Sequence, residues 1–241
     1  MARGIPPVAV NAAAPEPGRL VGLYAAATLI DVPRSVVGGV EVEVEGVGGH
    51  GLWPDPCAPG DRRKEGSSEG NTITFKGTAV WAADECHLVG ITEEEAQQKA
   101  RVRLARFEPI DAEKFAIEQI GAAATEGTTL AAAQAAVLLA GMAPVVHVAP
   151  ESLEALITSQ QVMLVNQRLQ TPLGASVAVG AGYSGALGPG EAIVTGPVTV
   201  WRSPVDSYVS YSLSKNTRLA VAERPIAVSW KSPTVKIGVT P

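Results

Sequence analysis

"TEEEAQQKARVRLARFEPIDAEKFAIEQIG", residues 92–121, is the stretch from which the rest of the chain can be laid out. Thr92 and Glu95 form a capping box, the hydroxyl taking the Glu95 amide and the carboxylate reaching back to the Thr92 amide. Glu93, Glu94 and Glu95 place negative charge at the positive end of a helix dipole, and Lys99, Arg101, Arg103 and Arg106 follow further along. Glu95 and Lys99 make a well-oriented i,i+4 pair. Ala96, Ala100, Leu104 and Phe107 recur at helical spacing and predict one apolar stripe. Pro109 is expected to end or kink this helix, with Asp111 capping a continuation through Phe115 and Ile117 to a stop at Gly121. Both signs of charge are mixed along it, the pattern of a solvated face rather than of a nucleic-acid surface.

Before the helix the period is two. Val40-Glu41-Val42-Glu43-Val44-Glu45 alternates apolar with acidic residues, as a strand with one buried face does. Ile73-Thr74-Phe75-Lys76 and Ala79-Val80-Trp81 follow about thirty residues later. The 18 residues from Pro54 to Asn71 lie between them, rich in Pro, Gly, Ser and charge. A long hairpin with a contact-making tip is predicted, since a structureless loop of this length is uncommon inside a compact domain. Residues 1 to about 35 carry Pro6, Pro7, Pro15, Pro17 and Pro33 and read as an extended arm, with a short helical or apolar patch at Leu20–Ile30.

After the helix the pattern is mixed. Thr128 or Thr129 caps an alanine-rich helix running to Ala140 and closed by Gly141. Val145-Val146-His147-Val148 reads as a buried strand and Glu151 to Ser159 as a helix. Strands are expected at 176–179, 192–195, 198–202, 207–213, 218–223 and 226–230. No internal repeat is found.

Composition bounds the function. The 241 residues are 46% hydrophobic but only 18% charged, little for a free-standing monomer, which suggests surface hidden in an assembly. Twenty-five Gly and 18 Pro imply many turns rather than a helical bundle. The net charge of −5, with no basic run beyond Arg62-Arg63-Lys64, argues against a broad basic nucleic-acid face. The apolar run Ala135 to Val146 is broken by Gly141 and Pro144 and is too short to span a bilayer. Met1 to Pro7 lacks the charged start and apolar core of a signal peptide, so synthesis in the cytoplasm is expected.

Several residues invite a chemical reading. Gly180-Ala-Gly182-Tyr-Ser-Gly185 has the spacing of a dinucleotide fingerprint, which requires a helix next and an acidic residue about 20 places on. Ala186-Leu187-Gly188-Pro189-Gly190 follows instead, and Arg202, Ser203 and Pro204 stand near the acidic position. The stretch is read as a turn, with no cofactor. Ser184 resembles a nucleophile elbow but lacks the glycine two places after it. His147, between valines, has the setting of a core histidine. Glu151 and Glu154 are an ordinary helical carboxylate pair. His50, Cys57, Cys86 and His87 raise a zinc site, but His50 and Cys57 are seven apart, and neighbours Cys86 and His87 would point opposite ways on a strand. A Cys57–Cys86 contact across the hairpin and two isolated thiols stay open. Catalytic, cofactor-binding and metal residues are assigned as none.

The order arm, long hairpin, charged helix and mixed body resembles that of tailed-phage major capsid proteins of the Hong Kong 97 type, a fold shared with encapsulin shells. Gly22-Leu23-Tyr24-Ala25 through Val40-Glu41-Val42-Glu43 looks like an N-arm entering an extended loop, and Thr92 to Glu108 like the family's spine helix. Leu130 to Pro150 is similar to the entry into the domain that meets at the capsomer axis, and Arg218 to Val228 to the closing strands. The chain is short for the family. The resemblance implies an α+β fold with an arm over 1–35, an extended loop over 36–90, a spine helix and peripheral region over 91–127, and an axial domain with closing strands over 128–241. It implies a non-enzymatic capsid subunit that assembles with itself, as pentamers and hexamers, into an icosahedral shell around DNA held nonspecifically on the inner face. Scaffold, portal or decoration proteins are further partners, a membrane is not, and the location is the virion. Connector, tail or decoration components and encapsulin-like shells are the alternatives. Some relatives carry lysine–asparagine isopeptide crosslinks, and Lys64 and Lys76 lie in the corresponding region, with no acceptor that can be named.

Overall fold

The computed structural model describes residues 21–44, 71–88 and 90–238. In chain order these form α1 (Leu23–Ala26), β1 (Thr28–Asp31), β2 (Val40–Val44), β3 (Asn71–Phe75), β4 (Gly77–His87), α2 (Glu93–Ala123), β5 (Thr125–Glu126) and α3 (Leu130–Leu139). There follow β6 (Val145–Val148), α4 (Leu153–Thr158), β7 (Met163–Val165), β8 (Arg168–Gln170), β9 (Ser176–Val179), β10 (Glu191–Thr195), β11 (Val198–Arg202), β12 (Asp206–Ser212), β13 (Thr217–Trp230) and β14 (Val235–Gly238).

The helix α2 runs unbroken for 31 residues, through both Pro109 and Gly121. Its capping box is present as expected, with Glu95 N–H donating to Thr92 Oγ1 at 3.2 Å and Thr92 N–H to Glu95 Oε2 at 2.9 Å. The expected break does not occur, and Asp111 pairs with Lys114 at 3.4 Å instead of capping a second helix. An interior proline forfeits one hydrogen bond and strains a turn, at about 3 kcal/mol. Packing along both halves of the helix offsets that strain. Ala96, Ala100 and Leu104 lie on Val80 and Ala82 of β4 and on Ala220, Ala222 and Ile226 of β13. Ala116, Ile117 and Ile120 pack with Val145, Ala178, Tyr183, Ile193, Val200 and Val228. The small alanines on both surfaces let helix and sheet approach closely.

α2 therefore bridges two sheets. The first joins β1, β11, β13 and β12 in that order, with β4 on the other edge of β13. The second runs β5-β14-β10-β6-β9-β8-β7. On its far face α3 and α4 close a third cluster built from Leu130, Val137, Val146, Val148, Leu156 and Val194. Thr129, not Thr128, caps α3, its hydroxyl accepting from Ala132 N–H at 3.1 Å.

Sequence reading splits β13 at Pro225, yet the strand is continuous over 14 residues. Along one edge it pairs with β12 through residues 217–223 and with β11 through 226–230. Pro225 stands at the changeover between these partners, where a missing N–H leaves no gap in either ladder. The short β5, β7, β8 and β14 carry too few residues for alternation to announce them. Residues 21–31 are not a loose arm. Leu23 is fully buried, and β1 pairs in parallel with β11, Thr28 opposite Thr199.

β2 and β3 form the predicted hairpin, antiparallel from Val40 opposite Phe75 to Val44 opposite Asn71. The chain turns from β3 into β4 through Gly77, where a Cβ would lie 2.1 Å from the Val36 carbonyl oxygen. β4 then runs along β13 from Gly77 opposite Ala227 to His87 opposite Thr217. Residues 45–70, including the predicted hairpin tip from Pro54 onward, lie outside the described residues.

Candidate functional site

The buried face of α2 carries two carboxylates, one helical turn and a little more apart. Periodicity predicted Phe107 in this stripe, but Phe107 is 42% exposed beneath the Arg106 guanidinium, and Glu108 is the buried neighbour. Arg224 of β13 reaches it with Nη1 at 2.9 and 3.2 Å from the two oxygens, and the Tyr24 hydroxyl donates at 2.9 Å. A buried carboxylate is tolerable when paired and hydrogen-bonded in this way. Burial, then the Glu108 charge, holds the Tyr24 phenol well above its usual range, so it remains a donor.

Glu113, 3% exposed, faces no cation among the described residues. Its Oε1 accepts from the Leu23 N–H at 3.1 Å and its Oε2 from the Gly182 N–H at 3.0 Å. Three segments distant in sequence, α1, α2 and the turn after β9, are joined through one side chain. Desolvation raises the Glu113 carboxyl above the ordinary range, and the two backbone donors work against that rise.

The glycine motif supplies the room for this contact. β9 ends at Val179, Ala181–Tyr183 make one 3₁₀ turn, and the chain reaches β10 without an intervening α-helix. A Cβ on Gly182 would stand 2.2 Å from the Ile110 carbonyl oxygen, and one on Gly180 would stand 2.5 Å from Glu113 Cδ. The glycines thus admit the long helix, and the space beside them holds Glu113.

Tyr183, from the same motif, is fully buried and meets His147. The Thr195 hydroxyl donates to the Gly196 carbonyl at 2.8 Å, so it accepts from His147 Nε2–H at 3.0 Å. His147 Nδ1 is left to accept the Tyr183 hydroxyl at 3.0 Å. Burial pushes the imidazole down to about 4, and it is neutral near pH 7. Both ring nitrogens are engaged, and the exposed Ser184 is not among their partners, so the elbow-like serine has no base here.

The remaining candidates stay apart. Glu151 and Glu154 line an open cleft with Ala155, Thr158 and Ser159. The Glu151 carboxyl is held below its usual range by its own backbone N–H and by the Ser184 hydroxyl. Cys86 is half-buried against the α2 cluster while its neighbour His87 is exposed, and His50 and Cys57 lie outside the described residues. Among the described residues no group of three or more metal-ligating side chains occurs. Lys76 is exposed at the root of the hairpin, and Lys64 lies outside the described residues.

The geometry is thus one of joints between elements. No protein-family profile and no curated protein sequence matches the chain. Solved structures do. The capsid of a native GTA particle is similar at a TM-score of 0.56 with 11% identity, covering 100% of this chain and 95% of that one. The mature capsid of bacteriophage PhiM1 is similar at 0.51 with 11% identity, covering 100% and 92%. The chain has the phage-capsid fold. The same fold extends to the holo-SrpI encapsulin complex from Synechococcus elongatus PCC 7942, at 0.55 with 10% identity, covering 96% and 92%. The sequence located the long helix, the hairpin strands and the glycine turn. It missed Glu108 and Glu113 as joints, since a carboxylate inside a charged helix looks like any other. The only signal was helical spacing: Glu108 lies one i,i+4 step after Leu104, and Glu113 one such step before Ile117.

The first sheet keeps one face away from α2. Trp81, Glu223 and Asp206 stand in register across β4, β13 and β12, with Ala83, Val221 and Tyr208 in a neighbouring row. Trp81 is 65% exposed there, and Tyr208 about half. Arg34, before the hairpin, pairs with Asp206 and with Glu223, so the hairpin root is clipped to this face.

Proposed function

We propose that this protein is the major capsid subunit of a tailed phage, assembling with itself into a closed icosahedral shell around DNA. The observation that carries the reading is a structural match over the whole chain to capsid proteins, which supports the shared fold. Physical features support it. A two-stranded projection does not bury itself in water, and the low charge fraction leaves apolar surface such as Trp81 for neighbours to cover. Closed symmetry repeats such contacts without leaving edges open. Pentamers and hexamers of this chain, with DNA held nonspecifically inside, are the proposed partners; scaffold, portal and decoration proteins are further ones. The role is structural rather than enzymatic, the final location is the virion, and synthesis takes place in the host cytoplasm.

Negative-stain imaging of the purified chain tests this, with discrete hollow particles expected. An encapsulin-like shell is the second reading, favoured by a TM-score equal to within 0.01 of the GTA capsid match. Particles carrying nuclease-protected DNA from the infected host support the first reading, and particles loaded with one folded protein support the second. Dispersed monomers under all conditions would overturn both.

A further inference from the structure

We propose that the outer edge of β4 is a contact between copies of this chain, in which the β4 strands of two subunits pair antiparallel across a two-fold axis. The pairing rests on the self-assembly proposed above and names one of its contacts. β4 is an edge strand of the first sheet, 11 residues long, and among the described residues its one strand partner is β13. Alternate residues of an antiparallel strand direct both backbone groups to the same side. Three contacts tell the two sides apart. Leu88 N–H donates to the Asn216 carbonyl at 3.2 Å, which continues the ladder with the even-numbered residues of β4 turned to β13. Pro225, opposite Ala79, accepts the Ser203 N–H at 3.0 Å on the far side of β13, so these two residues face away from each other. The Ala83 carbonyl accepts from the Arg103 guanidinium, outside the sheet. Ala79, Trp81, Ala83 and Glu85 thus present N–H and C=O groups away from β13.

What such a row binds is another strand. Charge says which one. Glu85, and Arg103 with its tie to Asp84 at 3.0 Å, guard the far half of the edge. The near half carries exposed Ala79 and Trp81, with neither charge nor proline. A two-fold axis at Trp81 or Ala82 lays Ala79, Trp81 and Ala83 of one copy along the same three residues of the other. Asp84 and Glu85 then stand opposite residues 77–80, none of which is charged. An axis at Ala83 would crowd two Arg103 side chains together, and one at Glu85 would oppose two carboxylates. An axis nearer Gly77 shortens the ladder, because the chain turns there. β2 is a poorer partner: it alternates valine with Glu41 and Glu43 and adds acid to an edge that already carries Asp84 and Glu85. Self-pairing also covers Trp81, 65% exposed in the single subunit. It satisfies both edges at once and leaves none from which strands could propagate.

The test uses the full chain. In wild-type protein, amide exchange over residues 79–85 should slow by about tenfold or more on association and recover on dilution. A79P removes an outward N–H without touching the β13 ladder and should lose that protection, whereas A79S keeps the N–H and should retain it. Identical residues come together only at the axis, where Cα atoms of paired residues lie about 4.5–5.5 Å apart, within the reach of a disulfide. With Cys57 and Cys86 replaced by serine, W81C or A82C should therefore give a crosslinked dimer on mild oxidation. L219C, on the same sheet face but on β13, should not. Exchange over 79–85 that is independent of concentration would overturn the pairing from the wild-type protein alone: if slow, a segment of the same subunit covers the edge, and if fast, nothing does. Protection on association with no crosslink at either position would assign the edge to a different strand of the neighbour, and also overturns it. Particles that form with this edge unprotected leave the shell standing without this contact, and crosslinked dimers that never form particles do the reverse.

Discussion

Glu108 and Arg224 lie 2.9 Å apart, 116 residues distant in sequence, inside the contact between the long helix and the β13 strand. Glu108 occupies the apolar stripe of that helix, and Arg224 immediately precedes the proline at which β13 changes partners. Removing the carboxylate leaves a buried guanidinium and the Tyr24 hydroxyl without their acceptor. E108A should therefore lower unfolding stability by about 3–5 kcal/mol. Arg224 Nε, also buried, has no partner among the described residues, so the pair is imperfectly satisfied. E108L combined with R224L should recover most of the loss. Denaturant titration of the unassembled subunit checks both, and a double variant no better than E108A would show that the ion pair itself, not its volume, holds the contact.

Two glycines on either side of the same interface should respond with opposite signs. Gly121 lies inside α2, where an added Cβ would meet only Ile193 Cδ1, at 4.0 Å. G121A should stabilise by about 0.5–1 kcal/mol, because alanine loses less backbone freedom in a helix. Gly182 meets helix backbone at 2.2 and 2.7 Å. G182A should destabilise by about 1–3 kcal/mol, as overpacking does. Thermal unfolding of the two variants gives both signs in one experiment, and a neutral G182A would mean that the turn is not seated against the helix.

His147 predicts a pH dependence. Its folded pKa of about 4 lies below the ordinary 6.5, so the unfolded chain binds the extra proton first. Its contribution is fully present above pH 6.5 and is lost as pH falls towards 4, at most roughly 3 kcal/mol for a shift of this size. Glu113 acts in the opposite sense. Its raised carboxyl contributes most below its ordinary value and loses that contribution as pH rises through the folded pKa. H147F should flatten the stability profile between pH 6.5 and 4, and the buried Tyr183 hydroxyl left behind should lower the plateau at neutral pH. An unchanged slope in the variant would assign the acid sensitivity elsewhere.

Local signals were legible wherever one short pattern decides the outcome. The capping box at Thr92 and Glu95, the alternation at 40–44 and the Thr129 cap all stand where the residues put them. Misreadings fall where tertiary packing overrides a local rule. Pro109 looks like a stop because its strain is local, while the contacts that hold the helix through it come from β4, β13 and the Gly180 turn. Pro225 looks like a strand break because the switch of partners beside it depends on β11 and β12. Glu108 takes the place predicted for Phe107 because Arg224, 116 residues on, neutralises it. The motif Gly180-x-Gly182 was legible as a turn, but what the turn seats against, a helix carrying Glu113, is a property of the fold.

Truncation should locate where the N-terminal segment becomes part of the core. Leu23 is fully buried, and β1 supplies the strand beside β11. Deleting residues 1–20 should leave the circular dichroism and melting temperature of the subunit within a few degrees of wild type. Deleting 1–31 should destabilise strongly: burying Leu23 alone is worth about 1.5–3 kcal/mol, and an edge of β11 is exposed besides. Equal stability of the two truncations would mean that β1 pairing adds nothing to the subunit.

Assembly is the prediction on which the functional reading depends. The smallest icosahedral shell holds about 60 copies, so particles of this 24.8 kDa chain should exceed roughly 1.5 MDa and be discrete rather than fibrous. Obligate interfaces bury about 2,000 Å² or more each, and the hairpin, the long helix and the exposed Trp81 face give one subunit several surfaces for them. The hairpin root should matter to assembly more than to folding, because Arg34 holds it through exposed ion pairs to Asp206 and Glu223, and such pairs contribute about 1 kcal/mol or less to stability. R34E should therefore leave the subunit folded while lowering particle yield severalfold, since repulsion from both carboxylates redirects the projection. Light scattering coupled to size exclusion reads the particle fraction, and circular dichroism reads the fold. Wild-type protein that stays a monodisperse monomer at tens of micromolar, even with its virion partners present, would rule out a shell subunit; particle yield from R34E equal to wild type would leave the shell standing and show that the ion pairs at the root do not set the angle of the hairpin.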